Sequence, residues 1–116
     1  MENQDRQFTK KGEPLSSFES RLSKESAAAI GTQFRVLRNK TRLRIIDLLV
    51  RYGGFLCVVE IAAVLEEHPS VISGHLAVLR AVGLVSRKMY GVYAYYYVNT
   101  EGLNKYREFL DQITAL

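Results

Sequence analysis

The chain has 116 residues, 47% of them apolar, and a formal charge of +4 from 16 Lys and Arg against 12 Asp and Glu. That is enough for one domain with a modest core, whose terminal helices often need a partner subunit to cover them. The mild basic excess permits a polyanionic partner without requiring one, and no apolar run approaches the roughly 20 residues of a membrane span.

The chain starts MENQDRQFTKKGEP, a polar stretch without the apolar centre of a secretory signal. Cys57 is the only cysteine, which excludes an internal disulfide and fits a reducing, cytoplasmic setting. Residues 1–19 read as a flexible tail broken by Gly12 and Pro14, with Leu15 and Phe18 available to dock on the body. Residues 20–116 then form a single folded unit.

A helical pattern begins at Ser20, with Ala27, Ile30, Phe34 and Leu37 on one stripe and Leu22, Ala29 and Val36 on a neighbouring one. So wide an apolar arc predicts a helix that packs on its own domain and on a second copy. Asn39 to Val50 reads as the next helix, capped by Asn39 or Thr41, with Leu43, Ile46, Leu49 and Val50 facing the core. Arg35, Arg38, Lys40, Arg42 and Arg44 crowd this junction. They form either a solvated face paired to residues such as Asp47 or a set of phosphate contacts. Gly53-Gly54 ends the helix.

After the apolar run Phe55 to Cys57, a short helix from Val58 to Leu65 turns Val58, Ile61 and Leu65 inward. Pro69 suits the first position of the following helix, which leaves His68 at the cap, a position usually held by Ser, Thr, Asp or Asn. In that helix Ile72, Leu76 and Leu79 fall on one side at 100° per residue, and Ser70, Ser73, Gly74, Ala77 and Ala81 on the other. An ordinary surface helix turns Lys, Glu or Arg to water. A small-residue flank instead admits close approach of another surface, and Gly74 is worth about 1 kcal/mol less than alanine inside a helix. Two readings follow: a helix packed on both sides, or the groove-reading helix of a helix-turn-helix.

Beyond Gly83 the period changes. Leu84 to Met89 and Val92 to Val98 read as two strands joined at Tyr90-Gly91, a hairpin that must rest one face on the body. Alternation sets Tyr93, Tyr95 and Tyr97 together opposite Ala94 and Tyr96, either as packing residues or as a stacking platform for single strands. Arg87 and Lys88 stand beside the tip, within reach of a phosphate. A last helix from Thr100, capped by Thr100 or Asn99, carries Leu103, Tyr106, Leu110 and Ile113 at the spacing of a coiled-coil seam, with Phe109 widening it. The first and last helices are thus the expected dimer interface. The architecture is mainly α with a β-hairpin (α+β): a winged helix-turn-helix of about five helices and a two-stranded wing.

The segments FRVLRNKTRLRIIDLL, FLCVVEIAAVL, PSVISGHLAVLRAVGLVSRK and GVYAYYYV resemble the ArsR/SmtB family of prokaryotic winged-helix repressors over Gln33 to Val98. The most specific pieces are Thr41-Arg42-Leu43-Arg44-Ile45 and Ser73-Gly74-His75-Leu76 leading to Leu79-Arg80. The resemblance implies a homodimer on an imperfectly palindromic double-stranded operator, released by a metal or metalloid. By position, Ser70, Val71, Ser73 and Gly74 are the groove-facing candidates, and His75, Arg44, Arg87 and Lys88 the accompanying contacts.

The departures are specific. Where soft-metal sensors of the family carry Cys-Val-Cys, this chain has Cys57-Val58-Val59, and one thiolate cannot build a multidentate soft-ion site. The last helix has no histidine, only Glu101, Glu108 and Asp111. No metal site and no cofactor are therefore expected. The family also favours Gln at the position of Pro69 and His or Arg at that of Gly74, so operator preference should differ.

The releasing signal stays open between oxidation of Cys57 near a helix N-terminus and a small apolar or aromatic effector between the terminal helices. A winged-helix interaction module that ignores DNA is the alternative to a repressor. With two histidines and one cysteine, no enzymatic constellation stands out.

Overall fold

The computed structural model describes residues 12 and 14–114. Most of the tail expected over residues 1–19 lies outside the described residues. A 3-10 turn at Leu15–Ser17 follows Pro14, and Leu15 and Phe18 are exposed, so the anticipated docking is not seen.

Helix α1 spans Lys24–Leu37, starting four residues later than its apolar pattern because the Ser23 side chain accepts the Ser26 N–H and caps it there. Leu22 thus falls outside the helix. Helix α2 covers Lys40–Tyr52, capped by Asn39, whose Oδ1 accepts from the N–H groups of Thr41 and Arg42, and closed by Gly53 at φ 74°. Its buried residues are Ile45 and Leu49, with Ile46 and Leu48 packed at the edge, while Leu43 and Val50 are exposed. The core stripe is rotated from the expected Leu43/Val50 face because α2 meets α3, α4 and β3 along the Ile45–Leu49 line.

Strand β1 is only Leu56–Cys57, followed at once by α3 (Val58–Leu65). Helix α4 spans Pro69–Ala81, strands β2 and β3 are Val85–Tyr90 and Tyr93–Val98, and α5 is Thr100–Thr114. The wing is therefore not a bare hairpin: the sheet has three antiparallel strands in the order β1-β3-β2, with Leu56 opposite Tyr96 and Cys57 opposite Tyr95. Two residues are too short to show strand periodicity, which hid β1 in the sequence. Tyr90 pairs with Tyr93, so the loop is Gly91-Val92, one residue beyond the expected turn. Gly91 takes φ 62° at the first loop position, as a II′ hairpin turn requires.

The core is one cluster in which Ile45, Ile61, Ile72, Leu76, Leu79 and Leu84 are wholly buried. Tyr96 joins it from the inner face of the sheet; Tyr93, Tyr95 and Tyr97 lie on the outer face. At α5, Asn99 accepts the Gly102 N–H through its side chain and the Leu103 N–H through its carbonyl. Tyr106 is buried, whereas Leu110 and Ile113 further along the same stripe stand exposed. No helix among the described residues is long and apolar enough to cross a membrane.

Candidate nucleic-acid interface

Helices α3 and α4 pack on one another across a three-residue turn, Glu66 to His68. Glu66 adopts a left-handed conformation (φ 57°), and the Ala62 carbonyl accepts the N–H groups of both Glu66 and Glu67. His68 supplies the cap that sequence preference made weak. Its Nδ1 accepts the Ser70 N–H at 3.1 Å and lies 2.8 Å from Ser70 Oγ. Accepting there leaves the ring proton on Nε2.

This turn and cap lead into α4 with Ile72, Leu76 and Leu79 sealed in the core. On the opposite flank Ser70, Val71, Ser73, Gly74, Ala77 and Ala81 are all exposed. Apart from the helix's own backbone and the adjoining residues, no atom lies within 4 Å of where a Gly74 side chain would begin. The doubly packed reading of this helix is therefore not what the protomer adopts: its own fold leaves the small-residue flank bare. A flank without long side chains suits the width of a duplex major groove.

His75 sits at the edge of that flank, half-buried, with Nδ1 accepting from Arg42 Nε at 3.2 Å. Arg42 also donates through Nη1 to the Val36 carbonyl at 3.3 Å, so one guanidinium joins the end of α1, the start of α2 and the middle of α4. Its fixed fork suits two such acceptors. The arrangement assigns His75 the Nε2–H tautomer, leaving that nitrogen a donor. Sequence reasoning placed Arg42 only in the basic junction; its partner lies 33 residues away, beyond any local pattern.

The other cations divide by location. Asp47 pairs with Arg51 at 2.8 Å, not with the junction, and Arg44 has no carboxylate partner among the described residues. Arg87 and Lys88 are both exposed but point to opposite faces of the wing: Arg87 shares the core side with Val85 and Met89, Lys88 the outer side with Tyr90. Thus the structure brings Ser70, Val71, Ser73, Gly74 and His75 together on α4 and sets Arg44, Arg87 and Lys88 apart from them on α2 and β2.

Cys57 is half-buried at the start of α3, its N–H donating to Glu60 Oε1 at 2.9 Å. Val59, in the place of a second thiolate, is exposed. Among the described residues no three of His, Cys, Asp and Glu gather to hold a metal ion. The donor set around Cys57 does not fit a soft-metal site.

These features define a winged helix-turn-helix of the DNA-binding class. The family profile described as "Bacterial regulatory protein, arsR family" matches residues 39–87. An HTH-type transcriptional regulator of Methanocaldococcus jannaschii is 30% identical over 89 residues, covering 77% of this chain and 96% of that protein. The transcriptional repressor SmtB homolog of Synechocystis is 31% identical over 93 residues, covering 79% and 69%. Among solved structures, the homodimeric winged helix-turn-helix DNA-binding domain of a Mycobacterium bovis protein superposes with a TM-score of 0.64 at 26% identity, covering 85% of this chain and 89% of that one. The chain belongs to the ArsR/SmtB family of DNA-binding transcriptional regulators.

Proposed function

We propose that the protein is a homodimeric repressor that binds an imperfectly palindromic operator in the cytoplasm and leaves it on a signal other than a soft metal ion at Cys57. The observation that carries this is the bare flank of α4, exposed along Ser70, Val71, Ser73 and Gly74. In this reading Ser70 and Ser73 exchange hydrogen bonds with base edges, Val71 meets a thymine methyl, and Gly74 lets the backbone come close. His75 donates from Nε2 to a phosphate, held by Arg42, while Arg44, Arg87 and Lys88 supply further phosphate contacts that set register without reading sequence.

The homodimeric neighbour and the Synechocystis relative, named a transcriptional repressor, support the assembly and the sense of regulation. The exposed ends of α1 and α5 supply an apolar surface for the second protomer.

Fluorescence anisotropy with the duplex upstream of its own gene, at several salt concentrations, tests the reading. Affinity is expected to fall steeply with salt, and Arg44→Gln or Arg87→Gln to lower the log–log slope by about 1 each per half-site. A chain that ignores this duplex at low salt, as an interaction module would, contradicts it.

A further inference from the structure

The outer face of the wing carries a cluster of aromatic rings that none of the base or phosphate contacts named above involves, with Lys88 beside it. Tyr52 at the end of α2, Phe55 ahead of β1, and Tyr90 and Tyr95 on the sheet line an open cleft of about 480 Å³ floored by Gly54. A side chain at Gly54 would begin 3.2 Å from the Tyr52 ring, so that ring lies close over the turn. The rings are ordered among themselves: Tyr90 meets Tyr95 edge-on at 5.6 Å, and Phe55 meets Tyr97 edge-on at 4.9 Å. Yet Tyr52, Phe55 and Tyr90 remain largely exposed, leaving ring surface unpaired. Aromatic faces stay in water at a cost, and a third flat ring can complete the edge-and-face pattern.

Charge then narrows the class. Lys88 is paired in register with Tyr95, on the same outer face, and its ammonium lies 5.7 Å from the Tyr90 ring centroid. No Asp or Glu occurs between Leu84 and Asn99, and no carboxylate lines the cleft. The volume falls within the range of small-molecule pockets, about 300–1,000 Å³. We infer that this cleft binds a planar aromatic carboxylate, its ring among Tyr52, Phe55, Tyr90 and Tyr95 and its carboxylate on Lys88. Resting on the reading above, occupancy takes Lys88 from the operator backbone, so ligand and DNA oppose one another through one cation.

Naphthoate is the probe, with naphthalenemethanol as the uncharged ring and cyclohexanecarboxylate as the acid without one. Titrations of the free, full-length protein carrying ring-labelled tyrosine are followed by NMR. Naphthoate is expected to shift Tyr52, Tyr90 and Tyr95 saturably and to bind about threefold more tightly than the alcohol, the size of an exposed ion pair. Lys88→Gln removes that preference, Tyr52→Ala weakens both aromatic probes roughly threefold to tenfold, and cyclohexanecarboxylate leaves the rings unmoved. Equal binding of acid and alcohol, indifference to Tyr52→Ala, or shifts at Tyr106 instead of the cleft overturns the site.

In the second arm, filling the cleft lowers affinity for the upstream duplex about threefold in the wild type, and Tyr52→Ala needs roughly threefold to tenfold more naphthoate for the same effect. An unchanged duplex affinity with the cleft filled overturns the coupling. Failure of the duplex to bind at all would instead count against the proposed function, and the ring shifts still decide the site.

Discussion

Gly102 has no side chain at the point where the first turn of α5 crosses the turn after α4. A Cβ there would overlap the Gly83 carbonyl oxygen, and the obstacle is backbone, which cannot rotate away. Gly102→Ala is therefore expected to destabilise by about 2 kcal/mol or more, despite alanine's better helix propensity, as measured by urea unfolding. Tyr106, four residues further along, is a second residue whose cost is specific. Its hydroxyl is buried without a hydrogen-bond partner, and burial pushes its pKa up from 10.0 to about 12. The folded state holds this proton more tightly than the unfolded chain does. Its contribution is complete below pH 10, and stability is lost as pH rises from 10 towards 12. Tyr106→Phe should leave stability at neutral pH equal or slightly higher, because no hydrogen bond is lost, and should lessen the alkaline loss. Denaturant curves at neutral pH and across the alkaline range check both, and a variant weakened by more than about 1 kcal/mol at neutral pH would contradict the orphaned hydroxyl.

Among the elements, α3 and the start of α4 were legible from sequence to the residue, because Pro69 marks a start and the Ile72–Leu76–Leu79 stripe matches a helical period. The α2 face was misread at Leu43 and Val50. An apolar residue on a helix declares only that it prefers burial, and here the neighbouring elements covered the Ile45–Leu49 line instead. The Arg42–His75 bond and the pairing of Leu56–Cys57 with β3 were invisible for a related reason: each joins distant residues without leaving a periodic trace. Helix α5 shows how a stripe can serve two partners. Tyr106 is buried and Phe34 packs edge-on against its ring at 4.7 Å, while Leu110 and Ile113 remain exposed. Replacing both by Glu should leave the fold intact, since neither is in the core, and shift the protein from dimer to monomer in sedimentation. An unaltered dimer would place the twofold contact elsewhere.

For the whole molecule, the parts fit one arrangement. A closed core presents α4 outward, a three-stranded wing extends beside it, and apolar residues remain at the outer ends of α1 and α5. The bare flank was readable from composition, since small residues opposite a greasy stripe have few uses on a surface helix. That the fold itself leaves it uncovered follows from how the other elements pack on the Ile72–Leu76–Leu79 side alone, which composition does not record. The central claim is that this flank enters the major groove, and Gly74→Leu tests it most directly. Apart from the helix's own backbone and the adjoining residues, no protein atom lies within 4 Å of the new Cβ, so the rest of the fold has nothing there to displace, and helix propensity rises by up to about 1 kcal/mol. The expected result is unchanged or higher thermal stability with affinity for the upstream duplex reduced roughly tenfold or more, the scale of a lost base contact. A stable Gly74→Leu protein that binds the duplex as tightly as the wild type would contradict the claim.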